Sequence, residues 1–85
     1  MANVVIYSTG TCPFCVRARN LLEKKGVSFT EIRVDLEPER RPEMEKLSGR
    51  TSVPQVFIDD YHVGGFDDLS EMDMDDELDS RLGLA

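Results

Sequence analysis

Eighty-five residues, 40% of them hydrophobic, are enough for one core and no second, so the chain reads as a single domain over 1–85. The net charge of −7 is concentrated: residues 51–85 hold ten acids against one Arg, and a surface so acidic excludes nucleic acid as a partner because it cannot neutralise phosphates. No window approaches the about 20 apolar residues that a membrane span needs, and no basic-then-apolar leader is visible, so a cytoplasmic protein with reduced thiols is expected.

Asn3-Val4-Val5-Ile6-Tyr7 is β-branched and aromatic and reads as a short buried strand. A polar turn, Ser8-Thr9-Gly10-Thr11, leads into Cys12-Pro13-Phe14-Cys15. Residues 13–25 read as a helix. Pro13 suits its first position, where the missing N–H has no partner anyway. Ala18, Leu21 and Leu22 recur on one face, and Gly26 stops the helix after Lys24-Lys25. Residues 28–34 alternate and read as a second strand, with Thr30, Ile32 and Val34 lining one face. Strand, helix and strand within about thirty residues form a right-handed βαβ unit with parallel strands.

Residues 38–48 read as a weaker helix with a narrow stripe of Met44 and Leu47. Pro42 would break a helix interior, so the helix is expected to begin at Glu39–Arg41 and keep Pro42 in its first turn. Gln55-Val56-Phe57-Ile58 reads as a third strand. Asp59-Asp60 turns it into a return strand from Tyr61, a hairpin. After Gly64-Gly65, Asp67 or Asp68 is expected to cap a last helix, with Leu69, Met72 and Asp76 on one side and Leu78 and Leu82 further on. The order is βαβαββα, an α/β arrangement.

The chemistry centres on the only two cysteines. A thiolate, not a thiol, attacks a disulfide, and Cys12 precedes a helix N-terminus, whose free N–H groups stabilise an anion. Cys15 lies one turn on, toward the Ala18 and Leu22 side, so it is expected to be less exposed. That assigns attack to Cys12 and resolution of the mixed disulfide to Cys15. A pair of small buried hydrophobes is the plain alternative, and the polar turn before Cys12 argues against it. A structural zinc site needs about four ligands, and two Cys with His62 fall short, so no metal is expected.

Two further signals accompany the pair. Val53-Pro54 stands directly before a strand. A trans Pro opening that strand is the ordinary reading; beside the cysteine pair, a cis bond presenting the Val53 backbone to a peptide is favoured. Gly64-Gly65-Phe66-Asp67-Asp68 reads either as a turn with an N-cap or as a site for both ends of a zwitterion, carboxylate on helix N–H groups and ammonium on Asp67 or Asp68.

Cys12-Pro13-Phe14-Cys15, Thr51-Ser52-Val53-Pro54-Gln55 and Gly64-Gly65-Phe66-Asp67-Asp68-Leu69, at these spacings, resemble the bacterial dithiol glutaredoxins. The similarity runs from Ala2 to about Leu69. It implies a thioredoxin fold, with a four-stranded mixed sheet ordered 2-1-3-4 and three helices. It implies glutathione as a reducing co-substrate with no permanently bound cofactor, and reduction of protein disulfides and of glutathionylated proteins by a monomer. It implies that Val53, before cis-Pro54, pairs with the cysteinyl backbone of glutathione, and that Asp67 with Asp68 holds the γ-glutamyl end. Phe14 stands where Tyr is usual and walls the groove; Thr51 and Arg50 serve the glycyl carboxylate. Family potentials near about −200 to −230 mV make either direction accessible.

One position departs from the family pattern. A Lys is usual three residues before the nucleophile, and here that residue is Thr9, which weakens thiol activation or glutathione binding unless Arg17, Arg50 or another cation replaces it. Two other functions stand beside the enzyme: a carrier whose two subunits share an iron–sulfur cluster through Cys12 and glutathione, and an electron donor fed by a flavoprotein. Pro13 and the second cysteine speak against the first, and the Gly-Gly-x-Asp-Asp stretch against the second.

Overall fold

The computed structural model describes residues 2–84. Four strands form one sheet: β1 (Val4–Ser8), β2 (Thr30–Arg33), β3 (Gln55–Ile58) and β4 (Tyr61–Gly64). Their order is β2-β1-β3-β4, as expected. β1 runs parallel to β2 with Tyr7 opposite Ile32, and antiparallel to β3 with Ile6 opposite Val56. β3 and β4 form the expected hairpin, with a register shift at Val56/Phe57. Asp59 takes φ 54° in its turn, and its carboxylate accepts the Asn3 N–H at 2.9 Å.

Alternation along each strand divides the interior in two. Val4 and Ile6 of β1 and Val56 and Ile58 of β3 face one side, where Ala18 and Leu22 of α1 (Pro13–Lys24) cover them. Leu69 and Met72 of α3 (Phe66–Met74) and Leu78 and Leu82 of α4 (Glu77–Leu82) complete that cluster. Tyr7, Ile32, Val34 and Phe57 face the other side, against Met44 of α2 (Arg41–Ser48). Thr30 is exposed, so only Ile32 and Val34 of the expected β2 face are buried.

Pro42 lies in the first turn of α2, as its missing N–H requires; a 3-10 turn over Pro38–Arg40 precedes it. Gly49 closes α2 in the left-handed region at φ 71°, where a side chain would be strained. The last helix differs from the sequence expectation. It is two helices, broken where Asp76 turns left-handed at φ 62°. Asp76 is exposed there and joins no apolar face. The break re-aims Leu78 and Leu82 into the core; a continuous helix would turn both away from the face of Leu69 and Met72. Lys25 bridges the joint, with Nζ 2.6 Å from Asp73 and 2.7 Å from Asp79.

Met44 is the buried residue through which α2 docks. Met44→Ala is expected to lower stability by about 2–4 kcal/mol in denaturant unfolding, the range for deleting a fully buried side chain. A loss well under 1 kcal/mol would show that α2 is held by its polar contacts instead.

Candidate active site

β1 ends at Ser8, which is fully buried. Its hydroxyl donates to Glu31 at 2.5 Å, and Arg19 of α1 pairs with the same carboxylate. Strand, neighbouring strand and helix are thereby tied just below the turn. The turn itself is held by Asp35, which accepts the Gly10 N–H at 3.1 Å. Arg33 grips Asp35 with two bonds of 2.7 and 2.6 Å and lies across Gly10 so closely that a side chain there would collide with it. A side chain at this point would push the flexible end of Arg33 away from Asp35.

Cys12 is the N-cap of α1. Its sulfur accepts the Cys15 N–H at 3.3 Å, and its own thiol donates to the Val53 carbonyl at 3.7 Å. A donor aimed at the sulfur serves a thiolate better than a thiol. Cys15 is fully buried and Cys12 partly exposed, and both are free thiols. Burial first, then the neighbouring Cys12, pushes the Cys15 thiol up to about 12; the Thr9 backbone N–H works in the opposite direction. Of the cations considered as replacements for a lysine there, Arg17 stacks on the Phe14 ring at 5.4 Å and Arg50 pairs with Asp68. Arg33, which the sequence reading overlooked, lies on the turn itself.

Beside Cys12 runs a groove of about 210 Å³. It gathers Phe14, Arg50, Val53, Pro54, Asp67 and Asp68 from three separate stretches of chain, and adds Ser52, Gly65 and Phe66. Thr51 is not among the lining residues; its carbonyl accepts from Arg41 at 2.9 Å. The Val53–Pro54 bond is cis. Phe14 and Phe66 form a tilted wall, with ring centroids 6.3 Å apart.

The two aspartates have different surroundings. Neither is the N-cap of α3; that position is Gly65. Asp68 sits one turn in and reaches back, accepting the Gly65 N–H at 3.0 Å and the Arg50 guanidinium at 2.9 Å. Arg50, then the Gly65 N–H, holds its carboxyl below the usual range, against partial burial. Asp67 is exposed at the groove wall. The second glycine signal resolves on the same carboxylate: Gly64 has φ 119°, and any side chain there would strike Asp68.

A family model described as Glutaredoxin matches residues 4–63. Glutaredoxin 3 of Escherichia coli (strain K12) is 55% identical over 82 residues, spanning 96% of this chain and 99% of that protein. This chain is a glutaredoxin. The solution structure of the Brucella melitensis glutaredoxin superposes with a TM-score of 0.85 at 46% identity, covering 99% of this chain and 91% of that one. A buckwheat glutaredoxin crystallised as its glutathione complex superposes with a TM-score of 0.89 at 28% identity, covering 96% and 77%. The thioredoxin fold and a glutathione-dependent thiol–disulfide oxidoreductase activity go with that membership.

Two outcomes are expected from this geometry. Cys15 stays a protonated, buried thiol up to the ordinary thiol value of 9.0, so iodoacetamide is expected to modify Cys12 and spare Cys15 across that range, as peptide mapping would read. Equal labelling of both would contradict it. Gly64→Ala strains the backbone and displaces the Asp68 carboxylate, so it is expected to cost about 1–3 kcal/mol of stability by thermal unfolding.

Proposed function

We propose that this glutaredoxin reduces glutathionylated proteins and protein disulfides through Cys12 and Cys15, with glutathione seated in the groove. The observation that carries the reading is the Cys12 sulfur beside the Val53 carbonyl, at the end of a groove walled by Phe14, Pro54 and Phe66. A glutathione cysteine pairing with the Val53 backbone would bring its sulfur to Cys12. Its γ-glutamyl ammonium goes to Asp67, with Asp68 adjacent. Its glycyl carboxylate goes toward Arg50 and Thr51.

The Cys12 thiolate attacks the glutathione sulfur of a mixed disulfide. A Cys12–glutathione disulfide forms and the protein thiolate leaves, to be protonated by solvent. A second glutathione thiolate attacks that disulfide, releasing oxidised glutathione and the Cys12 thiolate. With a protein disulfide the first product is a Cys12–protein disulfide. Cys15 then attacks Cys12, expels the protein thiol and leaves a Cys12–Cys15 disulfide, which two glutathiones reduce. Timing follows from charge. Cys12 in a disulfide no longer carries a negative charge, so its contribution to holding Cys15 protonated disappears, leaving burial opposed by the Thr9 backbone and Arg19.

Other properties belong to the same reading. One domain over 1–85 acts as a monomer in the cytoplasm, on protein substrates rather than on nucleic acid. Among the described residues no helix is long and apolar enough to cross a membrane.

Cys12→Ser is expected to abolish turnover with both a glutathionylated peptide and a protein disulfide. Cys15→Ser is expected to keep the first activity and lose most of the second. Equal loss in both variants would remove the division of roles.

A further inference from the structure

Gln55 is polar, fully buried and outside the groove. Its Nε2 donates to the Ser52 carbonyl at 2.9 Å, with the Ser52 hydroxyl at 3.4 Å. Its Oε1 lies 2.8 Å from Nε2 of His62. His62 in turn stacks on Phe57, with centroids 4.9 Å apart. The three groups form one polar chain through the α2 side of the sheet, from β4 to the loop before β3.

The chain has a defined polarity. A carbonyl only accepts, so Gln55 must turn its amino end to Ser52. Its oxygen end then faces His62, whose Nε2 must carry a hydrogen. A reversed amide would set two oxygens against each other at Ser52. The Ser52 carbonyl therefore fixes which end of Gln55 meets the loop, and the His62 Nε2–H holds the other end.

What the loop gains is the direction of one peptide plane. The Ser52–Val53 bond is trans, and in a trans unit the C=O and N–H point to opposite sides. Gln55 draws the Ser52 carbonyl inward. The Val53 N–H is thereby turned outward, to the side where Val53 lines the groove. Among the described residues this N–H donates to no backbone carbonyl.

We propose that Gln55, held at its oxygen end by His62, is a positioning residue that aims the Val53 N–H at the backbone of a glutathione-bearing substrate. The inference rests on Val53 being the backbone contact of the function proposed above, and it adds the group that sets that contact's direction. Loss of the Gln55 bond frees the plane to rotate. Binding weakens, while the thiol chemistry at Cys12 is untouched.

The test is steady-state kinetics of the full chain on a glutathionylated peptide, with the Cys12 thiolate followed by its ultraviolet absorbance. Gln55→Met keeps the volume and removes the donor. It is expected to raise KM about fivefold, the ratio that ~1 kcal/mol of hydrogen bond represents, with kcat and the Cys12 titration unchanged. Gln55→Glu places a carboxylate against the Ser52 carbonyl and is expected to raise KM further. His62→Phe keeps the stack on Phe57 and removes the N–H, for a rise of about threefold; it carries the test even where a Gln55 variant does not fold. An unmoved KM in folded variants, or a changed kcat or Cys12 titration in Gln55→Met, overturns the proposal. Wild-type protein that does not turn over the peptide instead sinks the glutathione reading beneath it.

Discussion

The Cys12 sulfur caps the first turn of α1, accepting the Cys15 N–H at 3.3 Å. It can do so only while β1 ends, the turn closes and α1 begins in fixed places. Each has its own fastening. Ser8 and Arg19 share Glu31, so the end of β1 is tied both to β2 and to α1. Burial raises the cost of the Glu31 charge, and the bonds from Ser8 and Arg19 more than offset it, keeping that carboxyl ionised below its ordinary range. Asp35 holds the turn through Gly10. Ala18 and Leu22 anchor the helix in the core. The same helix that exposes Cys12 at its end buries Cys15 one turn later, so a single element gives two chemically alike groups different reactivity.

The groove depends on long-range closure. Phe14 follows β1, Val53 and Pro54 precede β3, and Phe66 to Asp68 follow β4. They meet because β1 and β3 pair antiparallel with Tyr7 opposite Gln55, which sets the end of β1 against the start of β3. Gln55 thus stands at the junction of sheet and groove. Stability and binding geometry share this residue, since the register that buries Phe57 also places the loop beside Cys12.

The strands and first helix were legible because their patterns are strong: a β-branched run, Pro13 at a helix start, Gly26 after two lysines. Pro42 was legible because only a first-turn position accommodates it. The Cys pair could be named because its chemistry is local, and the groove residues because three motifs resemble those of a known family. The break at Asp76 was not legible. Acidic residues fill five of the seven positions from Asp73 to Asp79, and nothing in their propensities separates one helix from two; the core's demand for Leu78 and Leu82 decides it. The role of Asp68 was misread as an N-cap because a capping carboxylate is recognisable by type, while its place one turn inside α3 depends on Gly65 taking the cap. Gln55 acts through His62, seven positions on, and Asp35 through Gly10, 25 positions back, and such contacts leave no local pattern.

Arg50 already holds a carboxylate, that of Asp68, at the groove wall. An anionic ligand arriving there does not meet an unpaired cation. It meets a guanidinium with one N–H already given to Asp68, whose charge offsets part of the Coulombic attraction. The arrangement resembles a seat kept by a placeholder. The guanidinium stays extended and oriented before anything binds, so less rotamer freedom is lost on binding, at the expense of affinity. A reagent that must be released at every turn of a redox cycle is well served by a site that lets go as readily as it takes hold.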